Sequence, residues 1–232
     1  MIKHGKKYRK AKEQMQPGQV LPFKEALSKV KSLVYTKFDE SMDAHVNLGI
    51  DPSKGDQVVR GSLVLPHSKG AAVKVLVFAK GDYADQAKKA GADYVGGDDL
   101  IEKINGGWLD FNYAVATPDL MAAVGKVAKI LGPRGLLPNK KLGTVTFDVG
   151  PVVSDLKKGR VFFKNDKNGI VHFSFGKSSF SVEKLQENLA AFIKTLASSK
   201  PSSSKGKFLK KLTVTSTMGV GIQVNPDELI GA

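Results

Sequence analysis

The sequence contains no cysteine, which excludes disulfides, thiolate metal sites and cysteine nucleophiles together. Histidine is scarce as well, with only His4, His45, His67 and His172 in 232 residues. They form neither HExxH nor any regular ligand spacing, so no metal and no cofactor is expected. Long apolar runs are also missing. Residues 75–79 are among the longest, far short of the ~20 that a membrane-spanning helix needs. The N-terminus lacks the apolar stretch of a secretory signal. A soluble, cytosolic chain is the expectation, and 41% hydrophobic residues suffice for a buried core.

Acidic residues are in short supply: 36 Lys and Arg face 22 Asp and Glu, for a formal net charge of +14. The first partner this implies is a polyanion, with an anionic membrane surface second. No basic amphipathic helix with an aromatic face supports the membrane reading. The imbalance is uneven. Residues 68–158 hold 13 bases and 10 acids, and the flanking segments hold 23 and 12. The flanks therefore carry +11 of the charge. Residues 1–12 contain six Lys or Arg and no acid, an arm that is either disordered or laid on RNA.

No acid occurs from residue 120 to 147. Inside that gap, residues 130–144 read ILGPRGLLPNKKLGT, with two prolines that fix φ and three glycines that free it. The composition predicts a stiff, cationic surface loop. It is either a shaped connector whose leucines plug the core or a functional loop.

Periodicity divides the rest. Phe23, Ala26, Leu27, Val30, Leu33 and Val34 form a helical stripe, and alternation predicts strands at 46–50 and 58–65. From residue 73 the texture becomes strand–helix alternation. Strands are expected at 73–79, near Tyr94, at 113–116 and at 144–147, with helices at 83–90, 98–104 and 118–131. After Gly159 it reverts: strands at 160–164 and 170–175 joined as a hairpin, a helix from a Ser181 cap to Ala197, a polar loop at 198–207 and a strand at 209–217. Similar α+β segments on both sides of an α/β block suggest one domain inserted into another.

Enzyme signatures fail one by one. Gly176-Lys177-Ser178 resembles the end of a phosphate-binding loop, but Val171 stands where its first glycine belongs. No GxGxxG follows the first α/β strand, no GxSxG elbow occurs, and Asp98-Asp99 reads as the opening of a helix. A nucleotide-dependent enzyme using the α/β middle is the alternative to a nucleic-acid-binding protein. A generic DNA-binding protein is a third reading.

The 130–144 run closely resembles the signature of the ribosomal protein L one family, the first-numbered protein of the large ribosomal subunit. Further matches are HGKKYR at 4–9, KFDES at 37–41, VNLGIDPSKGDQVVRGSLVLPHSKG at 46–70, AKGDYADQAKKAGADYVGG at 79–97, NDKNGIVH at 165–172 and TSTMG at 215–219. They span nearly the whole chain in one order. Two local departures occur: Lys140 replaces a usual proline, and Val220-Gly221 stands where Pro-Ser is common.

The resemblance implies a fold that is α/β plus α+β. A discontinuous two-layer α+β domain (1–67 and 159–232) is interrupted by an inserted three-layer, Rossmann-like α/β domain (68–158). It implies a non-enzymatic constituent of the large subunit that binds the mobile stalk of the ribosomal RNA. It also implies assistance in releasing deacylated tRNA from the exit site, and repression of the chain's own operon through its messenger RNA. The free protein is expected to be a monomer without membrane partners. Its expected place is on the cytoplasmic ribosome, or in an organelle matrix or stroma if a transit peptide was removed.

By chemistry alone, Phe38 is either a core residue or an aromatic that packs on sugars or bases, with Lys37 on a phosphate. Thr215, Ser216, Thr217, Met218 and Gly219 are either an ordinary strand end or hydroxyls and amides suited to ribose 2′-OH groups. The resemblance favours the RNA-contact reading for both segments. Lys164, Asp166, Lys167, His172 and Lys177 are further RNA-contact candidates around the expected hairpin. Arg60, Arg134, Lys140 and Lys141 are auxiliary contacts to RNA or tRNA.

Overall fold

The structure is a computed structural model in which residues 5–16, 18–68 and 73–229 are described. His4 and the start of the basic arm lie outside them. The described part of the arm is not irregular. It forms helix α1 (Lys6–Glu13), which buries Ala11 and leaves its cations outward.

Strand β1 (Val20–Leu21) leads through Pro22 into α2 (Phe23–Ser32), whose buried Phe23, Ala26, Leu27 and Val30 are the stripe seen in the sequence. Then come β2 (Ser41–Leu48), β3 (Arg60–Val64), β4 (Val75–Phe78), α3 (Asp82–Lys89), β5 (Tyr94–Gly96), α4 (Asp98–Asn105) and β6 (Tyr113–Ala116). Two short helices, α5 (Met121–Val124) and α6 (Ala128–Leu131), precede α7 (Val149–Lys157). The chain closes with β7 (Arg160–Lys164), β8 (Ile170–Lys177), α8 (Val182–Ser198), β9 (Leu209–Ser216) and β10 (Ile222–Val224).

The chain divides into two compact units, Met1–Lys69 with Phe163–Ala232, and Gly70–Phe162. The first is built on a five-stranded sheet of order β1-β10-β9-β2-β8. Central β2 runs antiparallel to both neighbours and buries every second residue: Met42, Ala44, Val46 and Leu48. Helices α2 and α8 cover that face. Phe173 on β8 stacks on Phe192 of α8 with ring centroids 4.1 Å apart. The alternate residues Asp43, His45 and Asn47 point to the other face and are half-buried.

The second unit has the parallel sheet β5-β4-β6. Leu76 and Phe78 pack to one side with Leu100, Ile104, Val124 and Leu131. Val75 and Val77 pack to the other with Ala87, Val153 and Leu156. Helices on both faces make three layers, the arrangement that the buried run at 73–79 implies.

Four expectations need correction. Residues 160–164 and 170–175 do not form a hairpin: β7 pairs with β3, β8 pairs with β2, and a single bridge joins Asn165 to Val171. The reason is Asn165, which takes the Val59 amide on its side chain at 2.8 Å and donates its own amide to Val59 O at 3.0 Å. The fourth strand at 144–147 shrinks to one bridge, Ala116 to Val145. The helix expected over 118–131 is broken by two 3-10 turns, 118–120 and 125–127, the second opening on Gly125. Helix α7 was not anticipated, because Gly150-Pro151 reads as a breaker. Pro151 sits in the first turn, where its missing N–H costs nothing, and Val149, Val153 and Leu156 are buried.

Candidate nucleic-acid interface

Because β2 opposes both β8 and β9, its first residues meet their last ones. Ser41 pairs with Lys177, and Met42 with Ser216. The segments 33–40, 177–181 and 217–221 therefore gather at one end of the sheet. Thr217 N donates to Ser41 O at 3.0 Å, and Thr217 Oγ1 accepts from Ser41 N at 3.0 Å.

Two carboxylates that the sequence reading passed over hold this end together. Asp39 accepts from Ser178 Oγ (2.7 Å), Ser179 N (3.0 Å) and Ser179 Oγ (2.9 Å), which ties the loop to the end of β8. The Ser178 hydroxyl above all holds its carboxyl below the usual range; desolvation opposes it, and the hydroxyl and amide of Ser179 and the Lys177 charge add to the lowering. Glu40 is fully buried and accepts from Thr36 Oγ1 at 2.6 Å and Met218 N at 3.1 Å. Burial pushes the Glu40 carboxyl up, but the hydroxyls of Ser216 and Thr36 and the Met218 amide together bring it below its ordinary value. The buried Ser216 hydroxyl does this from outside strict hydrogen-bond geometry.

The Met218 peptide is thus gripped from both sides. Glu40 takes its N–H, and Tyr35 Oη donates to its C=O at 2.7 Å. Its side chain stays 51% exposed, and Phe38, on the loop stapled by Asp39 and Glu40, is 55% exposed. A Cβ on Gly219 would lie 2.3 Å from Ser216 Oγ, so a side chain there would force that buried hydroxyl to move. Lys37 and Thr217 are also exposed, Thr215 is half-buried, and Lys177 donates from Nζ to Ser41 Oγ at 3.0 Å. Lys37, Phe38, Lys177 and the 215–219 segment therefore share one end.

The expected cluster around a hairpin is divided. Lys164 ends β7, and Asp166 and Lys167 lie in the turn that leads into β8, at the opposite end of β8 from Lys177. His172 is exposed on the face away from α2 and α8, directly across from His45, with Nδ1 atoms 2.8 Å apart and rings edge-on at 5.0 Å. Its Nε2 is 3.5 Å from Asp166. Burial, and then the neighbouring imidazole, push the His45 pKa down, with Asp43 opposing. The Asp166 carboxyl is held low chiefly by the Ile170 amide, and also by that of Asn168. No motif reveals His45, which becomes visible only through the strand register. Asp39, Glu40 and Tyr35 carry no local signal either, because their partners Ser178, Ser179 and Met218 lie far along the chain.

Arg60 is half-buried on β3. In the second unit, Arg134 is exposed beside Gly135, whose φ of 71° needs glycine. Lys140 and Lys141 are exposed on a 3-10 turn that Asn139 caps by accepting from Lys141 N at 2.8 Å. Thr144 Oγ1 accepts from Asn139 N at 2.8 Å. The loop is thus a shaped connector that also displays its cations. Among the described residues there is no group of three or more His, Asp or Glu placed to hold a metal ion, and no helix long and apolar enough to cross a membrane.

Residues 27–220 match the model of the ribosomal protein L1p/L10e family. The chain is 52% identical over 226 residues to the large ribosomal subunit protein uL1 of Syntrophobacter fumaroxidans, covering 97% of both chains. It is 52% identical to the protein of that name from Desulfotalea psychrophila, covering 97% of this chain and 96% of the other. The Thermus thermophilus uL1 is 51% identical over 227 residues, covering 97% and 99%.

Proposed function

Since the chain belongs to the ribosomal protein L1p/L10e family, and is a structural, non-enzymatic protein of the large ribosomal subunit, we propose that it grips the mobile stalk of the large-subunit ribosomal RNA at the Phe38–Met218 end of its five-stranded sheet. Family membership removes the nucleotide-dependent enzyme reading. The observation that carries the proposal is the pair of exposed apolar side chains, Phe38 and Met218, on loops made rigid by two internal carboxylates. Rigid presentation lowers the entropy lost on binding. An exposed aromatic ring suits stacking on an unpaired base, and the hydroxyls of Thr215 and Thr217 suit ribose 2′-OH groups. Lys37 and Lys177 supply phosphate contacts, and His172 and the 164–167 turn extend the surface along β8.

The discontinuous unit is the RNA-binding domain in this reading. Its face also serves for a similar element in the operon messenger RNA, through which the protein represses its own synthesis. In the second unit, Arg134, Lys140 and Lys141 are auxiliary contacts, to the stalk or to deacylated tRNA leaving the exit site, and Arg60 plays the same part in the first unit. Filter binding of the whole chain to stalk ribosomal RNA, scrambled RNA and duplex DNA tests the proposal. The stalk RNA is expected to win at every salt concentration, although all affinities fall as salt rises. A preference that vanished at moderate salt would reduce the interaction to polyanion attraction.

A further inference from the structure

The two ends of the five-stranded sheet differ in chemistry. Opposite the Phe38–Met218 end, β2 finishes while β8 and β9 begin, and the row Ile170–Asn47–Lys211 crosses the sheet. Three loops are laced together there. Leu48 N donates to Gly169 O at 2.9 Å, Gly49 N to Phe208 O at 2.6 Å, and Ser204 Oγ to Gly49 O at 2.9 Å. A Cβ on Gly49 would fall 2.2 Å from Lys207 O, so the approach is as close as backbones allow.

From this laced end Lys164, Lys167, Lys200, Lys205, Lys210 and Lys211 are all exposed. Residues 199–211 contain no acid. Two acids of the neighbouring loops are already engaged, and Asp56 is exposed in the loop that follows β2. Asp51 faces Lys54 and the Ser53 amide, and Asp166 accepts the amides of Asn168 and Ile170 at 2.8 Å and faces His172. Among the described residues none of the six lysines forms an ion pair. A β-bulge helps to set them out: the β2–β9 register jumps from Asn47↔Lys211 to Leu48↔Leu209, which leaves Lys210 as the extra residue. Unbroken alternation would turn one of two consecutive lysines inward, and the bulge exposes both.

We infer that this lysine end is a second, sequence-independent contact, taking the phosphate backbone of the RNA duplex whose other part sits at the Phe38–Met218 end. The inference rests on the RNA-binding reading of that end. The seven steps of β2 cover about 23 Å, a length that a short A-form RNA stem can span. A straight stem held at one end therefore reaches the other without bending. Lysines act on phosphate as mobile point charges and lack the planar fork that reads base edges, so the contact adds affinity without sequence preference.

The test uses the whole chain and two stalk stem-loops, one with about half a helical turn of stem and one with about two turns. Affinity is measured against KCl concentration. The wild type is expected to bind the long RNA more tightly, with a steeper salt slope. The variant Lys164→Gln/Lys167→Gln/Lys205→Gln/Lys210→Gln is expected to lose about 3 units of that slope and about 10- to 100-fold in affinity for the long RNA, with little change on the short one. A variant with the same charge loss elsewhere, Lys88→Gln/Lys89→Gln/Lys103→Gln/Lys194→Gln, is expected to keep the slope. The inference is overturned if wild-type binding ignores stem length, if the first variant keeps the wild-type slope, or if both variants lose it equally. A scrambled stem-loop separates the two proposals. Equal binding of scrambled and stalk RNA sinks the Phe38–Met218 reading, and a length-dependent slope that only the first variant removes still upholds the lysine contact.

Discussion

Phe38 spends more than half its surface in water, a position that packing does not explain. Truncating it should therefore cost little in the fold, within about 0.5 kcal/mol for an exposed site. The same Phe38→Ala change, and Met218→Asp, should each cost about 1–3 kcal/mol of RNA affinity. Melting and binding measured on the same samples check this, and equal losses in both would return Phe38 to a structural role. Glu40 behaves in the opposite way. Glu40→Gln replaces the acceptor of the Met218 amide and the Thr36 hydroxyl, and should destabilise the chain by about 1–3 kcal/mol. The folded Glu40 pKa is depressed, so its contribution is complete above the unfolded value of about 4.3 and is lost as pH falls through the folded one. Denaturant titrations across the acid range should show the gap between wild type and variant closing in that window. A gap that stays constant would remove Glu40 from the ionised, stabilising role. The exposed residues of the site could be found in the sequence, because they lie in two short motifs. The carboxylates beneath them could not, because Ser178 and Met218 are more than 130 residues away from Asp39 and Glu40 along the chain.

Among the elements, β8 and α8 show where local reading stops. Alternation located β8 and the Ser181 cap located α8, whose Ser181 hydroxyl accepts from Lys184 N. Neither signal says which strand is the neighbour. Turn residues at 165–169 suggested a hairpin, yet a turn specifies only that the chain reverses, and Asn165 sends β7 to another sheet. Besides its apolar stripe, one buried polar residue ties α8 to its neighbours. Asn188 accepts from His67 N at 2.9 Å and donates to His67 O and Phe175 O at 2.9 and 2.8 Å. Asn188→Ala strands one buried donor and leaves two carbonyls without their amide, and should cost about 3 kcal/mol. Leu185→Ala, which opens a hole beside Gly176, should cost a similar 2–5 kcal/mol. Urea unfolding checks both. An Asn188→Ala variant as stable as the wild type would mean that water replaces the amide at no cost.

At the scale of the whole chain, charge and texture marked three segments, and the structure groups the first and last into one compact unit. The α/β alternation was legible because a parallel sheet covered on both faces needs continuous apolar strands. The pairing of β2 with β8 and β9 was not, since nothing local encodes it. If the first unit is the RNA-binding domain, a Gly/Ser linker in place of residues 68–158 should leave a chain that folds and keeps most of its affinity for stalk RNA. The excised 68–158 segment should fold and bind weakly. Titrating both with the same RNA decides, and tight binding by the excised segment would put the primary site in the wrong unit. The placement of β2 also has a consequence in time. Its partner β8 begins 121 residues after β2 ends, and β9 is later still. At a synthesis rate of about 5–20 residues per second, β2 waits roughly 6–24 s for its first neighbour. The intervening 70–162 segment carries its own core and can mature during that wait. The edge bearing Phe38 and Met218 cannot form until Met218 itself has been made, so the proposed RNA grip becomes available only after synthesis has passed residue 218.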